Sequence, residues 1–398
     1  MKLADRLSRL GTETAFEVLA RAEALKAEGR SIVNLGIGQP DFEPPPHVIE
    51  AAGKALRDGH HGYTPANGIR PLREAVAADI AKRRGVEVDP DSVVIVPGAK
   101  VTMFFAMLVL GEPGAEILYP DPGFPIYRSA IAFSGATPVP IPLHEDDGFS
   151  CRAEEVLERI TPRTRLIVLN SPANPTGAVM RKAEIDRLVA GLEDHPEVAI
   201  LSDEIYARLT YGDEPHVTLL GYESIRERVI LLDGFSKTYA MTGWRLGYAV
   251  WPAPLVDAVV RLAINSYSCV NAAAQWAGIA ALQGPQDSVE RMRAAFDGRR
   301  RLILRELNQI PGFRCVEPKG AFYAMPNITG TGIASRDLQR SLLEEAGVAV
   351  IAGTSFGANG EGYLRFSYAA DEDSIMEAMG RIRAHLAGRA RPEVLRGL

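Results

Sequence analysis

The chain has 398 residues, 46% apolar and 24% charged, with a formal net charge of −6. That balance suits a globular protein with a large core and a second, smaller domain, and it argues against nucleic acid or an anionic membrane surface as a partner. The apolar run 101–110 is too short to span a bilayer, and the first ten residues lack a signal peptide's apolar core. Cys151, Cys269 and Cys315 are widely spaced and odd in number, so neither a disulfide framework nor a metal site is expected, and a reducing cytoplasm is.

In chain order, Ala15, Phe16, Leu19, Ala22 and Leu25 fall at helical spacing and predict a helix over 13–29, stopped by Gly29. A short strand over 32–37 follows, then a proline-rich loop at 38–46. Strand-like runs at 92–96, 116–119, 165–170, 198–202, 229–232 and 246–250 alternate with helical patterns. This predicts an α/β fold with a mostly parallel central sheet sandwiched by helices. From about 285 the pattern changes to a charged helix (288–310), short strands (313–316, 321–325, 363–368) and helices (335–346, 373–387), as in an α+β unit. The expected division is 1–44, an arm and part of the small domain; 45–284, the large domain; and 285–398, the small domain, ending in a loose tail from 389.

In such sheets ligands bind beyond the carboxyl ends of the strands, and the residues with chemical potential cluster there. After the 229–232 strand comes Lys237, eight positions before Arg245. A partly desolvated lysine can lose its proton and form a Schiff base with a carbonyl; an arginine suits a bidentate phosphate contact. Together they suggest pyridoxal phosphate, which carries an aldehyde and a phosphate. The turn Pro97-Gly-Ala-Lys100, between a strand and a helix, is a generic anion cradle. Asp203 and Glu204 end a buried strand; Asp203 is either a helix N-cap or a carboxylate awaiting a cation. Phe124 is either core or a stacking platform. Asn174 sits in a turn and is kept extended by Pro175. Arg365, in an apolar strand, needs an anionic partner.

Residues 236–245, Ser-Lys-Thr-Tyr-Ala-Met-Thr-Gly-Trp-Arg, resemble the cofactor-lysine signature of the class I/II aminotransferases of fold-type I, and the chain as a whole resembles their bacterial aspartate aminotransferase branch. The Asn174-Pro-Thr-Gly177 and Asp203-Glu-Ile-Tyr206 motifs follow the family order. The resemblance implies pyridoxal phosphate on Lys237, with its phosphate held by Gly98, Ala99, Lys100, Ser236 and Arg245 and by Tyr63 from across a dimer interface. It also implies Phe124 stacked on the ring, Asn174 and Tyr206 on the phenolic oxygen, and Asp203 on the ring nitrogen. Arg365 and the Gly38 N–H would hold the substrate α-carboxylate, beside Phe124 and Asn174. One departure is Gly234, where the family often carries a hydroxyl.

The expected activity is amino transfer from an L-amino acid to a 2-oxo acid such as 2-oxoglutarate. Aspartate is favoured by overall resemblance, with alanine, aromatic and branched amino acids open. Lys100, Arg128 and Arg208 are all candidates for a distal carboxylate. The alternatives are a pyridoxal-phosphate β-lyase or synthase on the same fold, and an aminotransferase-like ligand-sensing regulator. The last would need a DNA-binding segment for which there is no room before Gly38.

Overall fold

The order of the strands explains where the chain can place a site. The computed structural model describes residues 1–212 and 215–389, so the expected tail beyond 389 lies outside the described residues. The chain opens with α1 (Thr14–Ala27), β1 (Val33–Asn34), α2 (Pro46–Arg57) and α3 (Arg70–Arg84). The central part runs β2 (Val93–Val96), α4 (Lys100–Leu110), β3 (Glu116–Asp121), α5 (Ile126–Ser134), β4 (Thr137–Pro142), α6 (Ala153–Leu157), β5 (Thr164–Asn170), α7 (Lys182–Leu192) and β6 (Ala199–Asp203). It continues through β7 (Val229–Gly234), α8 (Phe235–Thr238), β8 (Gly247–Val250), α9 (Ala253–Ser266) and α10 (Ala272–Gln283). The last part holds α11 (Asp287–Leu307), β9 (Tyr323–Ala324), α12 (Ser335–Ser341), β10 (Val348–Ala349), β11 (Ile351–Ala352), β12 (Leu364–Ser367) and α13 (Glu372–Arg389).

Seven strands make one sheet in the order β2-β8-β7-β6-β5-β3-β4, and only β8 runs against its neighbours. The central strands are apolar on both faces, as a sheet covered by helices on both sides requires. Alternate residues feed two cores: Leu166, Val168, Leu201, Ile230 and Leu232 pack on one face, and Ile167, Leu169, Ile200, Val229 and Leu231 on the other. All ten are buried, so the sheet is a fixed platform for whatever its ends carry.

Beside it, β11, β12 and β9 form an antiparallel sheet, and β1 pairs in parallel with β10. Val18, Ala22 and Leu25 of α1 pack against Leu343, Ala349, Ile351 and Phe356, so the first helix joins the C-terminal part of the chain. The expected strand at 313–316 does not form; Arg314 makes a single bridge to Asn327. Conversely, β4 is a strand despite Pro138, Pro140 and Pro142. It lies at the sheet's edge, where a missing N–H costs no ladder bond on the open side.

Candidate active site

A cavity of about 470 Å³ opens at the carboxyl ends of β2, β5, β6 and β7. Its wall includes Gly38, Ala99, Lys100, Phe124, Asn174, Asp203, Tyr206, Ser236, Lys237, Arg245 and Arg365. Residues far apart in sequence meet there because Ala99, Asn174, Asp203 and Lys237 follow or end strands at one edge of the large sheet, while Gly38 and Arg365 reach in from the smaller sheets beside it. Gly98 adjoins the wall: a Cβ on it would come 2.1 Å from Arg245 Nη2, and its φ of +91° suits only glycine. Tyr63 lies outside this cavity, 94% exposed on the surface of the chain.

Lys237 stands on the short α8, and its Nζ donates to the Gly38 carbonyl at 2.6 Å. Burial pushes its amine down to about 8; the nearby Arg365, Arg245 and Lys100 cations push the same way, while Glu13 opposes them. The backbone beneath it is tight. A Cβ on Gly234 would sit 3.0 Å from Gly247 Cα, and one on Gly247 2.5 Å from Ala99 N. A side chain at 234 would press on the backbone of β8.

Asp203 ends β6 and is buried. Burial raises its carboxyl to about 7, against hydrogen bonds from Tyr127 Oη (2.5 Å) and the Ile205 N–H (3.2 Å). Among the described residues it makes no ion pair. Its neighbour Glu204 is the opposite case. Burial would raise Glu204 as well, but His216 and Arg84 bring it down to about 2. Adjacent carboxyl groups therefore face different surroundings, one paired inside the protein and one open to the cavity.

Arg365, on β12, is also buried and without a carboxylate partner among the described residues. Its Nη1 donates to Asn174 Oδ1 at 3.0 Å, its Nη2 to the Gly36 carbonyl, and its Nε has no partner. The guanidinium lies over the rings of Tyr323 and Phe356, at 4.6 and 4.8 Å. Arg245 adopts a left-handed φ of +53° and lies against the 97–99 turn, donating to Thr242 O and Pro97 O.

Sequence reasoning missed several wall residues. Tyr323 on β9 shares a 2.8 Å hydrogen bond with Tyr206, and its hydroxyl fills the space a Gly38 Cβ would take. Tyr127, three residues after Phe124, donates its hydroxyl to Asp203. Asn170 accepts the Asn174 N–H and donates to the Asp203 carbonyl, bracing both turns. Glu13 reaches in from α1 to Lys100 at 2.7 Å. The sequence signal was weak for all four, since each partner lies on a different element.

Residues 30–382 match the aminotransferase class I and II family. Among curated relatives, the chain is 38% identical to an aspartate aminotransferase of Geobacillus stearothermophilus, over 98% of this chain and all of that protein. It is 36% identical to aromatic-amino-acid aminotransferase 2 of Thermococcus litoralis, over 96% of this chain and 97% of the relative. Among solved structures it resembles the Thermus thermophilus aspartate aminotransferase with maleate. The TM-score is 0.92 and the identity 34%, covering 97% of this chain and all of that one.

Proposed function

The chain belongs to the class I and II aminotransferase family and is a transaminase; from that premise we propose that it uses pyridoxal phosphate on Lys237 to move the amino group of an L-amino acid to a 2-oxo acid such as 2-oxoglutarate. Aspartate is the favoured donor, with aromatic amino acids and alanine also admitted. The observation that carries the reading is that two titratable groups, each shifted by burial, face one cavity. Asp203 is a buried carboxyl with no ion pair among the described residues, and Lys237 is an amine that burial lowers to about 8.

The residues fit the cofactor. A protonated ring nitrogen would be the cation Asp203 lacks. Gly98, Ala99 and Lys100 form the turn into α4, whose N-terminal dipole favours phosphate; Ser236 lines the same cavity, and Arg245 lays its guanidinium against Gly98. Phe124 offers a ring face on the cavity wall. When bound, pyridoxal phosphate supplies an aldehyde for the amines and an electron-poor ring that stabilises the charge left by a departing α-proton.

The protein's own groups do the rest. Lys237, once its amine is free, takes the α-proton from one carbon and returns it to another, as a base with a pKa near working pH should. Arg365 grips the α-carboxylate with its fork, and Gly38 closes over it. Asn174 turns its Oδ1 to Arg365, which leaves its amide N–H groups, with the Tyr206 hydroxyl, to donate to the phenolic oxygen. For a distal carboxylate, Lys100 is preferred over the alternatives: it lines the cavity, and neither Arg128 nor Arg208 does. The apolar wall, with Ile37, Met103 and Phe124, favours aromatic donors as a second class.

The same reading takes the chain as a cytoplasmic homodimer in which the exposed Tyr63 reaches the partner's cofactor phosphate. It divides the chain into an arm and part of the small domain (1–44), a large domain (45–284) and a small domain (285 onward). Its ligands are small molecules only. Among the described residues no helix is long and apolar enough to cross a membrane.

The test is an amino-donor panel with 2-oxoglutarate and pyruvate as acceptors, run on cofactor-loaded protein. Parallel double-reciprocal lines are expected. Intersecting lines, or turnover that survives Lys237→Ala, overturn the reading. Release of pyruvate and ammonia from cystathionine in place of amino transfer identifies a lyase.

A further inference from the structure

Glu13 stands at the N-cap of α1, where a short polar side chain usually folds back onto free helix N–H groups. It makes no such bond. Its carboxylate extends into the cavity and accepts a hydrogen bond from Lys100 Nζ at 2.7 Å. The same ammonium lies 5.3 Å from the centre of the Phe124 ring and 5.8 Å from that of Phe16, the latter also on α1. The cation assigned above to a substrate's distal carboxylate thus already has a carboxylate, supplied by the protein. The pair is only partly withdrawn from water, with the Lys100 side chain 42% exposed and that of Glu13 19%. Ion pairs of that exposure are weak and readily exchanged.

We propose that Glu13 is an exchangeable substitute for the substrate's side-chain carboxylate, and that this exchange lets one cavity serve two classes of amino acid. An acidic substrate displaces Glu13 from Lys100. The released carboxylate turns to water at the start of α1, where the helix dipole still favours it. An aromatic or aliphatic substrate leaves the pair closed and packs on Phe16, Phe124 and the methylene stem of Lys100. Without Glu13, such a substrate would cover an uncompensated ammonium, which is costly. The breadth of donor choice is therefore set by the first turn of α1 and not by the sheet. This inference rests on the assignment of Lys100 in the proposed function.

Two unreactive acids separate the classes: succinate, with two carboxylates, and 3-phenylpropanoate, with one and a ring. Their binding to cofactor-loaded enzyme is measured by calorimetry for the native chain, Glu13→Gln, Lys100→Met and the double variant. Glu13→Gln is expected to tighten succinate about 2- to 5-fold, the worth of a half-exposed competing pair, and to weaken 3-phenylpropanoate. Lys100→Met is expected to weaken succinate about 10- to 100-fold, and the effect of Glu13→Gln on succinate should vanish in that background. If Glu13→Gln shifts both acids equally, or neither, the exchange is wrong while the transaminase assignment stands. If Lys100→Met leaves succinate binding intact, the Lys100 assignment falls and the exchange falls with it.

Discussion

Tyr127 donates its hydroxyl to Oδ2 of Asp203 at 2.5 Å, and both groups are buried at the floor of the cavity. This bond restrains a carboxyl that burial lifts from 3.8 to about 7. An acid raised in this way binds its proton more tightly when folded. Its contribution to apoprotein stability is complete below about pH 4 and is lost as pH rises through about 7. We predict that cofactor-free Asp203→Asn gains on the native apoprotein across that window, reaching about 1–4 kcal/mol at pH 8. Thermal melts at pH 4.5 and pH 8 check this, and an unchanged difference between the two would rule it out. The same variant should bind pyridoxal phosphate more weakly.

Lys237 offers a second pH signature. Burial and its cationic neighbours hold its amine at about 8, against an ordinary lysine value of 10.5. Only the neutral amine attacks an aldehyde, so capture of pyridoxal by the apoprotein should climb about tenfold per pH unit from 6 and level off above about 8. Trapping with borohydride and mass spectrometry gives the rate and the site. A rate still climbing tenfold between pH 9 and 10 would mark an ordinary surface lysine.

Behind the cavity, Arg84 lies 3.1 Å from Glu204 Oε2 and 2.7 Å from Asp233 Oδ2, with all three side chains buried. Asp233 Oδ1 in turn accepts the Gly234 N–H at 2.7 Å, at the turn that carries Lys237. Arg84→Met strips the guanidinium from two buried carboxylates, leaving Glu204 with His216 and Asp233 with hydrogen bonds from Gly234 N–H and Tyr248 Oη. We predict a loss of about 3–5 kcal/mol in urea unfolding, with a milder loss for Arg84→Met combined with Asp233→Asn. Equal stability of native and Arg84→Met proteins would show the network to be dispensable.

Arg365→Lys keeps the charge and loses the planar fork. The expected cost is about 10- to 100-fold in kcat/KM. The loss should be equal for aspartate and phenylalanine, because both present the same α-carboxylate. A loss confined to aspartate would mean that Arg365 reads the side chain instead.

Much of this was legible in the chain because it is local. Buried parallel strands announce themselves as apolar runs, and the turns that follow them carry Asn174, Asp203 and Lys237 within a few residues of each strand end. What escaped is what depends on distant partners. Tyr323 reads as one more aromatic in a strand until Tyr206 is brought against it. Glu13 reads as a solvated charge until Lys100, at the start of α4, is brought against it. The edge strand β4 was hidden by its prolines. The short β10 and β11 were too brief to show a period, and 313–316 showed an alternation that no neighbour exploits beyond one bridge.

The parallel pairing of β1 with β10, Val33 against Val348, has a consequence for how the molecule is made. During synthesis, the apolar face of α1 cannot meet the residues it packs on, Leu343, Ala349, Ile351 and Phe356, until nearly the whole chain has been made. α1 is then among the last pieces to set. We predict that a nascent chain stalled before residue 348 completes its seven-stranded platform but leaves α1 open to protease, and that release of the full chain closes it.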